Sequence, residues 1–230
     1  NPAFCDLLLA DIDRLHELMV LDEQFTYPTT YQCFAPNHFL LTQWLVTRWM
    51  RFLLPSRRPM DNMALGWNLP QEDEFALCNM GVPSPNLRMA FPNHPPVHVE
   101  YLEADQLDDG ELERWKRALM RFMRLVTFRT PRRLIMKSPT HTGRIKPLSE
   151  MFPEARFVHI VRDPYVLFPS TIRLWKALYS VQGLQLHDGE GLEQYVFDSL
   201  DRMYRGFQRQ REQIDPARIC DVRYEDLVRD

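Results

Sequence analysis

Two short apolar runs, each ending in a basic residue beside a proline, constrain the fold more than any other feature. Leu134-Ile135-Met136 ends at Lys137-Ser138-Pro139, and Phe157-Val158-His159-Ile160-Val161 ends at Arg162-Asp163-Pro164. A helix-length stretch from Thr142 to Met151, closed by Phe152-Pro153, lies between them. Two short buried strands joined by so long a connection cannot be hairpin partners, so strand, helix, strand with a parallel crossover is expected. Open parallel sheets bind ligands outside the carboxyl ends of their strands. Lys137 and Arg162 both fall at such ends, and two cations on one rim of a sheet point to an anionic ligand.

The bulk of the chain bounds what kind of protein carries that rim. At 230 residues one domain with an ample core is expected, and 45% hydrophobic residues place the chain among ordinary globular proteins. A formal net charge of −3 excludes a surface built to coat nucleic acid, so a site for an anionic nucleotide has to be locally basic. No apolar run approaches the ~20 residues of a membrane span, and no secretory signal is evident, which makes the cytoplasm the expected location. Cys5, Cys33, Cys78 and Cys220 are scattered without metal-ligand spacing, so buried free thiols are expected and no metal site. With 18 prolines and 8 glycines, turns are set by proline and flexible linkers are few.

Residues 130 to 228 resemble the sulfotransferases that use 3′-phosphoadenosine 5′-phosphosulfate (PAPS), in particular the bacterial-type family related to tyrosylprotein sulfotransferases. Arg162-Asp163-Pro164 followed by Ser170 is similar to that family's 3′-phosphate signature. Lys137-Ser138-Pro139 is similar to its catalytic-lysine turn, and Val222-Arg223-Tyr224-Glu225-Asp226-Leu227 to its late Tyr-Glu-x-Leu strand end. Order and spacing together are far more specific than any one of these pieces. Weaker similarity covers Tyr27–Leu41 and Met60–Asn93. The resemblance implies an α/β, parallel-sheet, P-loop-like sulfotransferase fold with flanking helices.

The remaining segments carry their own expectations. Residues 3–21 place Phe4, Leu7, Leu8, Leu15, Leu18 and Met19 at helical spacing, predicting a helix interrupted near Asp11-Ile12-Asp13. The family instead has a strand, a hydroxyl-rich loop holding the 5′-phosphosulfate, and then a helix. Ala10–Arg14 contains no Gly, Ser or Thr, and its two aspartates would repel a phosphate. The expectation is a single domain over residues 1–230 that is incomplete near residues 10–15 and at both ends. The aromatic stretch Phe25–Phe39 reads either as an acceptor-lining loop or as packed core. Phe39–Leu54 reads as an amphipathic helix, and Ser56-Arg57-Arg58-Pro59 as a solvated basic turn. Pro70 reads as the first residue of a helix with Glu72, Asp73 and Glu74 in its first turn. Residues 81–110 form an irregular excursion that would serve as lid or acceptor-side wall. Further helices are expected over Glu111–Thr127, Pro164–Ser180 and Leu192–Gln213, with a strand at Arg218–Arg223.

Sulfuryl transfer is an in-line displacement, so it needs positioning, cations on the leaving group and a base for the acceptor proton. The resemblance assigns Lys137 to the bridging oxygen of the departing phosphate. It assigns Arg162 and Ser170 to the 3′-phosphate, where a planar guanidinium gives paired charge-assisted hydrogen bonds. Tyr224 and Ser138 are implied to face the donor as well. Four residues are candidate bases: His141 on the Lys137 turn, His38 in the aromatic stretch, and the carboxylates Glu72 and Glu74. PAPS is the implied co-substrate, no metal is required, and the acceptor is a hydroxyl or amine on a small molecule, glycan or lipid. The competing class is a non-catalytic relative that binds nucleotide or a partner without turnover. A nucleotide kinase is disfavoured because Gly-x-x-x-x-Gly-Lys-[Ser/Thr] is absent from the sequence. No motif specifies nucleic-acid binding, a membrane span or an oligomeric interface.

Overall fold

A computed structural model describes residues 19, 21–50, 66–187 and 189–227 in full, together with the backbone of Cys5–Leu9. Five strands form one sheet: β1 (Cys5–Leu9), β2 (Phe25–Thr26), β3 (Arg133–Lys137), β4 (Arg156–Val161) and β5 (Ile219–Arg223). Their spatial order is β2-β3-β1-β4-β5, and every pairing is parallel. The helices are α1 (Thr30–Phe34), α2 (Phe39–Trp49), α3 (Asp73–Asn79), α4 (Leu87–Ala90) and α5 (Asp109–Thr127). They continue with α6 (Ile145–Met151), α7 (Pro164–Gln182), α8 (Leu192–Arg211) and α9 (Tyr224–Leu227).

β3 and β4 run parallel, as the two apolar runs require, but β1 is inserted between them, with Leu8 opposite both Lys137 and Val158. This corrects the helix expected over residues 3–21: Cys5–Leu9 is the central strand. Cys-Asp-Leu-Leu-Leu is short and shows no alternation, so periodicity cannot separate strand from helix. The phosphate-loop stretch Ala10–Arg14 and the basic turn Ser56–Pro59 lie outside the described residues. A second correction concerns Pro70, which bridges to Thr29 while α3 begins at Asp73 behind Glu72. The expected helix from Thr142 instead opens as a 3-10 turn, Pro139–Arg144, leading into α6.

Side chains of the sheet alternate between two cores, as period-two geometry dictates. Leu134, Met136 and Phe157 join the larger core with Trp115, Leu119 and Phe122 of α5 and with Phe39 of α2. Ile135 and Ile160 face the other way, with Phe25, Val222 and Tyr224 packed around them. The aromatic stretch 25–39 is divided the same way, since Tyr31, Cys33 and Phe39 belong to the larger core. Asp108 accepts from the Glu111 N–H at 2.8 Å and Asp163 from the Tyr165 N–H at 2.8 Å, which fixes where α5 and α7 begin.

The 3-10 turn after β3 is wedged between the 81–110 excursion and α8. A Cβ on Gly143 would lie 1.9 Å from the Leu102 carbonyl oxygen, so only glycine allows this approach. Gln210 of α8 donates to the Gly143 carbonyl at 3.0 Å and closes the other side. Gly143→Ala is therefore expected to cost at least about 1–3 kcal/mol of unfolding free energy, read by urea denaturation. An unchanged midpoint would contradict the wedge.

Candidate active site

The acidic start of α3 is carried to the carboxyl edge of the sheet by the chain that follows β2. Thr30 N–H donates to the Leu69 carbonyl at 2.8 Å, Tyr31 N–H to Trp67 at 2.9 Å, and Gln71 N–H to Pro28 at 2.9 Å. Three consecutive carboxylates then face three basic side chains of the turn after β3. Lys137 Nζ lies 3.0 Å from Glu72 Oε1, His141 Nε2 lies 2.9 Å from Asp73 Oδ2, and Arg144 pairs with Glu74 at 2.5 Å. Lys137 ends β3, while His141 and Arg144 belong to the 3-10 turn that follows it.

The three rungs differ in what they leave available. Glu74 is saturated: Arg144 donates to both oxygens, Ser84 donates to Oε1 at 2.6 Å, and Thr140 to Oε2 at 3.1 Å. Burial alone would raise its carboxyl, but the Arg144 charge and hydrogen bonds outweigh that and hold it below the ordinary value. His141 and Asp73 are both fully buried, and their close approach is not aligned as a hydrogen bond. Ser138 is fully buried with its hydroxyl 2.9 Å from that of Thr140. Burial pushes the Cys33 thiol well above its ordinary range, and the charges of Asp73 and Glu72 add to the push. Only the Lys137–Glu72 rung reaches solvent, with 8% and 22% of the two side chains exposed. His38 is exposed ahead of α2, with Nδ1 3.0 Å from Thr42 Oγ1.

Across β1, the edge of β4 and β5 carries the other cation. The Arg162 guanidinium lies 4.3 Å over the Tyr224 ring, within cation–π range. Glu225 accepts from the Asp163 N–H at 3.4 Å. Ser170 is half-buried in the second turn of α7, about 10 Å along the axis from the Asp163 cap. It lies beyond the first-turn amides, where the helix dipole has fallen off. Neighbouring strands sit about 4.8 Å apart, so Lys137 and Val158 flank β1 at about 10 Å.

A groove of about 1600 Å³ lies elsewhere, between the 81–110 excursion and α8, with Arg88, Glu103, Tyr195 and Arg202 in its wall. None of Lys137, Glu72, Arg162 or Tyr224 lines it. Among the described residues no group of three or more His, Cys, Asp or Glu is placed to hold a metal ion. No helix among them is long and apolar enough to cross a membrane.

A family model described as the sulfotransferase family matches residues 83–230, which include both cationic strand ends. The chain belongs to the sulfotransferase family. The omega-hydroxy-beta-dihydromenaquinone-9 sulfotransferases Stf3 of Mycobacterium bovis and Mycobacterium tuberculosis are each 51% identical over 216 residues, or 94% of this chain. The chain spans about half the length of these curated relatives, 55% of each. The crystal structure of sulfotransferase STF9 from Mycobacterium avium matches with a TM-score of 0.70, covering 100% of this chain and 61% of that one. That of STF1 from Mycobacterium tuberculosis H37Rv gives 0.69, covering 99% and 64%. Both are 18% identical, so the likeness concerns the sulfotransferase fold.

Sequence reading singled out Lys137, Glu72, Glu74 and His141 but missed Asp73 and Arg144 as the partners that complete the sulfotransferase turn. Three successive acids at 72–74 and the basic residues clustered at 137, 141 and 144 were the available signal. Glu74→Ala would strand a buried guanidinium and is expected to cost about 3–5 kcal/mol in denaturant unfolding. Because the Glu74 carboxyl is depressed when folded, its contribution is present above its ordinary value of 4.5 and lost as pH falls through the lower folded value. Glu74→Gln should therefore lose less stability than wild type over that acid range. Parallel pH profiles would contradict the pairing.

Proposed function

We propose that the chain transfers a sulfuryl group from PAPS to a hydroxyl acceptor at the carboxyl edge of β3, β1 and β4. The observation carrying this reading is the solvent-reaching Lys137–Glu72 pair at 3.0 Å, set across β1 from the Arg162 fork. PAPS supplies an activated sulfate bonded through oxygen to a good leaving phosphate. Its 3′-phosphate fits the guanidinium at the Arg162–Tyr224 edge. Ser170 adds its hydroxyl from the adjoining helix.

Glu72 accepts the proton of the acceptor hydroxyl as that oxygen forms its bond to sulfur. Lys137 stabilises the bridging oxygen as the sulfur–oxygen bond to the phosphate breaks. Glu74, His141 and Ser138 hold the turn and do not act on substrate, because their polar atoms are turned inward. For the acceptor, the names of the Stf3 relatives specify an omega-hydroxy dihydromenaquinone. We extend that class to this chain: a hydroxyl on an isoprenoid quinone lipid.

Calorimetric titration with 3′-phosphoadenosine 5′-phosphate tests the donor half. Arg162→Ala should weaken binding roughly 10- to 100-fold, as expected for the loss of charge-assisted hydrogen bonds worth about 1.5–3 kcal/mol. Equal affinity in wild type and variant would overturn the Arg162 assignment.

A further inference from the structure

We propose that the face formed by α2 and the C-terminal half of α5 docks on an anionic lipid bilayer surface. Helix α2 is apolar on both sides. Phe39 is buried and Leu40 and Val46 pack on the core, while Leu41, Trp44, Leu45 and Trp49, at i, i+3, i+4 and i+8, line the outside. Their exposures are 86%, 70%, 53% and 66%. An outward stripe carrying two tryptophans is the composition of an interfacial helix, since indole rings favour the boundary between headgroups and acyl chains.

The second half of the face is cationic. Helix α5 is joined to α2 by Arg129, which donates to the Leu40 carbonyl at 2.6 Å, and by the Phe39–Phe122 ring contact at 6.5 Å. Beyond that junction a groove of about 460 Å³ has Met120 and Leu125 beside Arg117, Arg121, Arg124 and Phe128. Phe128 is 73% exposed. The acids of α5 lie in its first turns: Gln24–Met60 contains no Asp or Glu, and neither does Arg114–Ser149, although Glu113 and Glu150 reach Lys116. In a chain of net charge −3 this segregation concentrates the acids elsewhere.

Charge decides the occupant. A second copy would bring the arginines of one face against those of the other, which is repulsive. Aromatic and aliphatic side chains interleaved with arginines match a surface that is apolar inside and anionic at its rim, which is a bilayer containing acidic phospholipid. The inference is independent of the chemistry at Lys137 and Arg162, because donor binding and vesicle binding are separate measurements on separate elements.

The test is co-sedimentation of the chain with vesicles of phosphatidylcholine alone and with phosphatidylcholine mixed with phosphatidylglycerol. Binding should require phosphatidylglycerol, weaken with added salt and blue-shift tryptophan emission. Trp44→Ser with Trp49→Ser should abolish the emission shift and weaken binding at least ~10-fold. Each of Arg117→Gln, Arg121→Gln and Arg124→Gln should weaken binding about five-fold. These side chains are exposed, and unchanged thermal unfolding would show that the variants remain folded. Equal binding to neutral and anionic vesicles, no binding to either, or variants that bind as wild type would overturn the proposal. So would a dimer in sedimentation equilibrium that Trp44→Ser dissociates, since the face would then be covered by a second copy.

Discussion

Three carboxylates in a row, Glu72, Asp73 and Glu74, meet Lys137, His141 and Arg144 across the gap between α3 and the turn after β3. The innermost rung is fully buried, where an unpaired charge would be costly, so Glu74 and Arg144 each require the other. That requirement fixes the turn, and the Gly143 wedge fixes its depth against Leu102 and α8. The middle rung is fully buried as well, and of the three the Lys137–Glu72 rung alone reaches solvent. The ordering matters for chemistry. Two inner pairs hold the geometry, and in the proposed reaction the outer pair exchanges its partner for a substrate.

The parallel sheet accounts for the rest of the placement. Because β3, β1 and β4 all run the same way, the residues that end them share one edge. In the proposed function Lys137 and Arg162 act on two ends of a single anionic ligand without touching each other. Tyr224 at the end of β5 lays its ring face against the Arg162 guanidinium. The same separation leaves α2 and α5 free to carry a different function on another surface, where exposed tryptophans and arginines replace the acids found elsewhere.

Much of this was legible in the sequence, and the parts that were not share a physical cause. β3, β4, β5 and the long helices α5, α7 and α8 follow from apolar runs and periodicities that local chemistry terminates. The placement of Lys137 and Arg162 at strand ends was legible because strand ends beside proline are marked locally. β1 was misread because Cys-Asp-Leu-Leu-Leu is equally apolar as helix or buried strand, and only its neighbours β3 and β4 decide. The acids at 72–74 looked like helix-start chemistry, and their true partners lie more than sixty residues away. His141, Glu74 and Ser138 are plausible catalytic types, and only burial distinguishes a side chain that faces substrate from one that braces the turn.

The most direct test of the central claim is a double-variant cycle in sulfuryl transfer from PAPS to a hydroxylated quinone lipid, using Glu72→Gln, Lys137→Met and both together. Glu72→Gln should lower kcat by about 10²–10⁴-fold, as loss of a general base does. Lys137→Met should cost about 10²–10³-fold, as loss of a charge-stabilising donor does. The double variant should lose little more than the worse single variant, because the two act on one displacement. Full activity in Glu72→Gln, with turnover lost instead in His38→Gln, would contradict the assignment and move the base to the aromatic stretch.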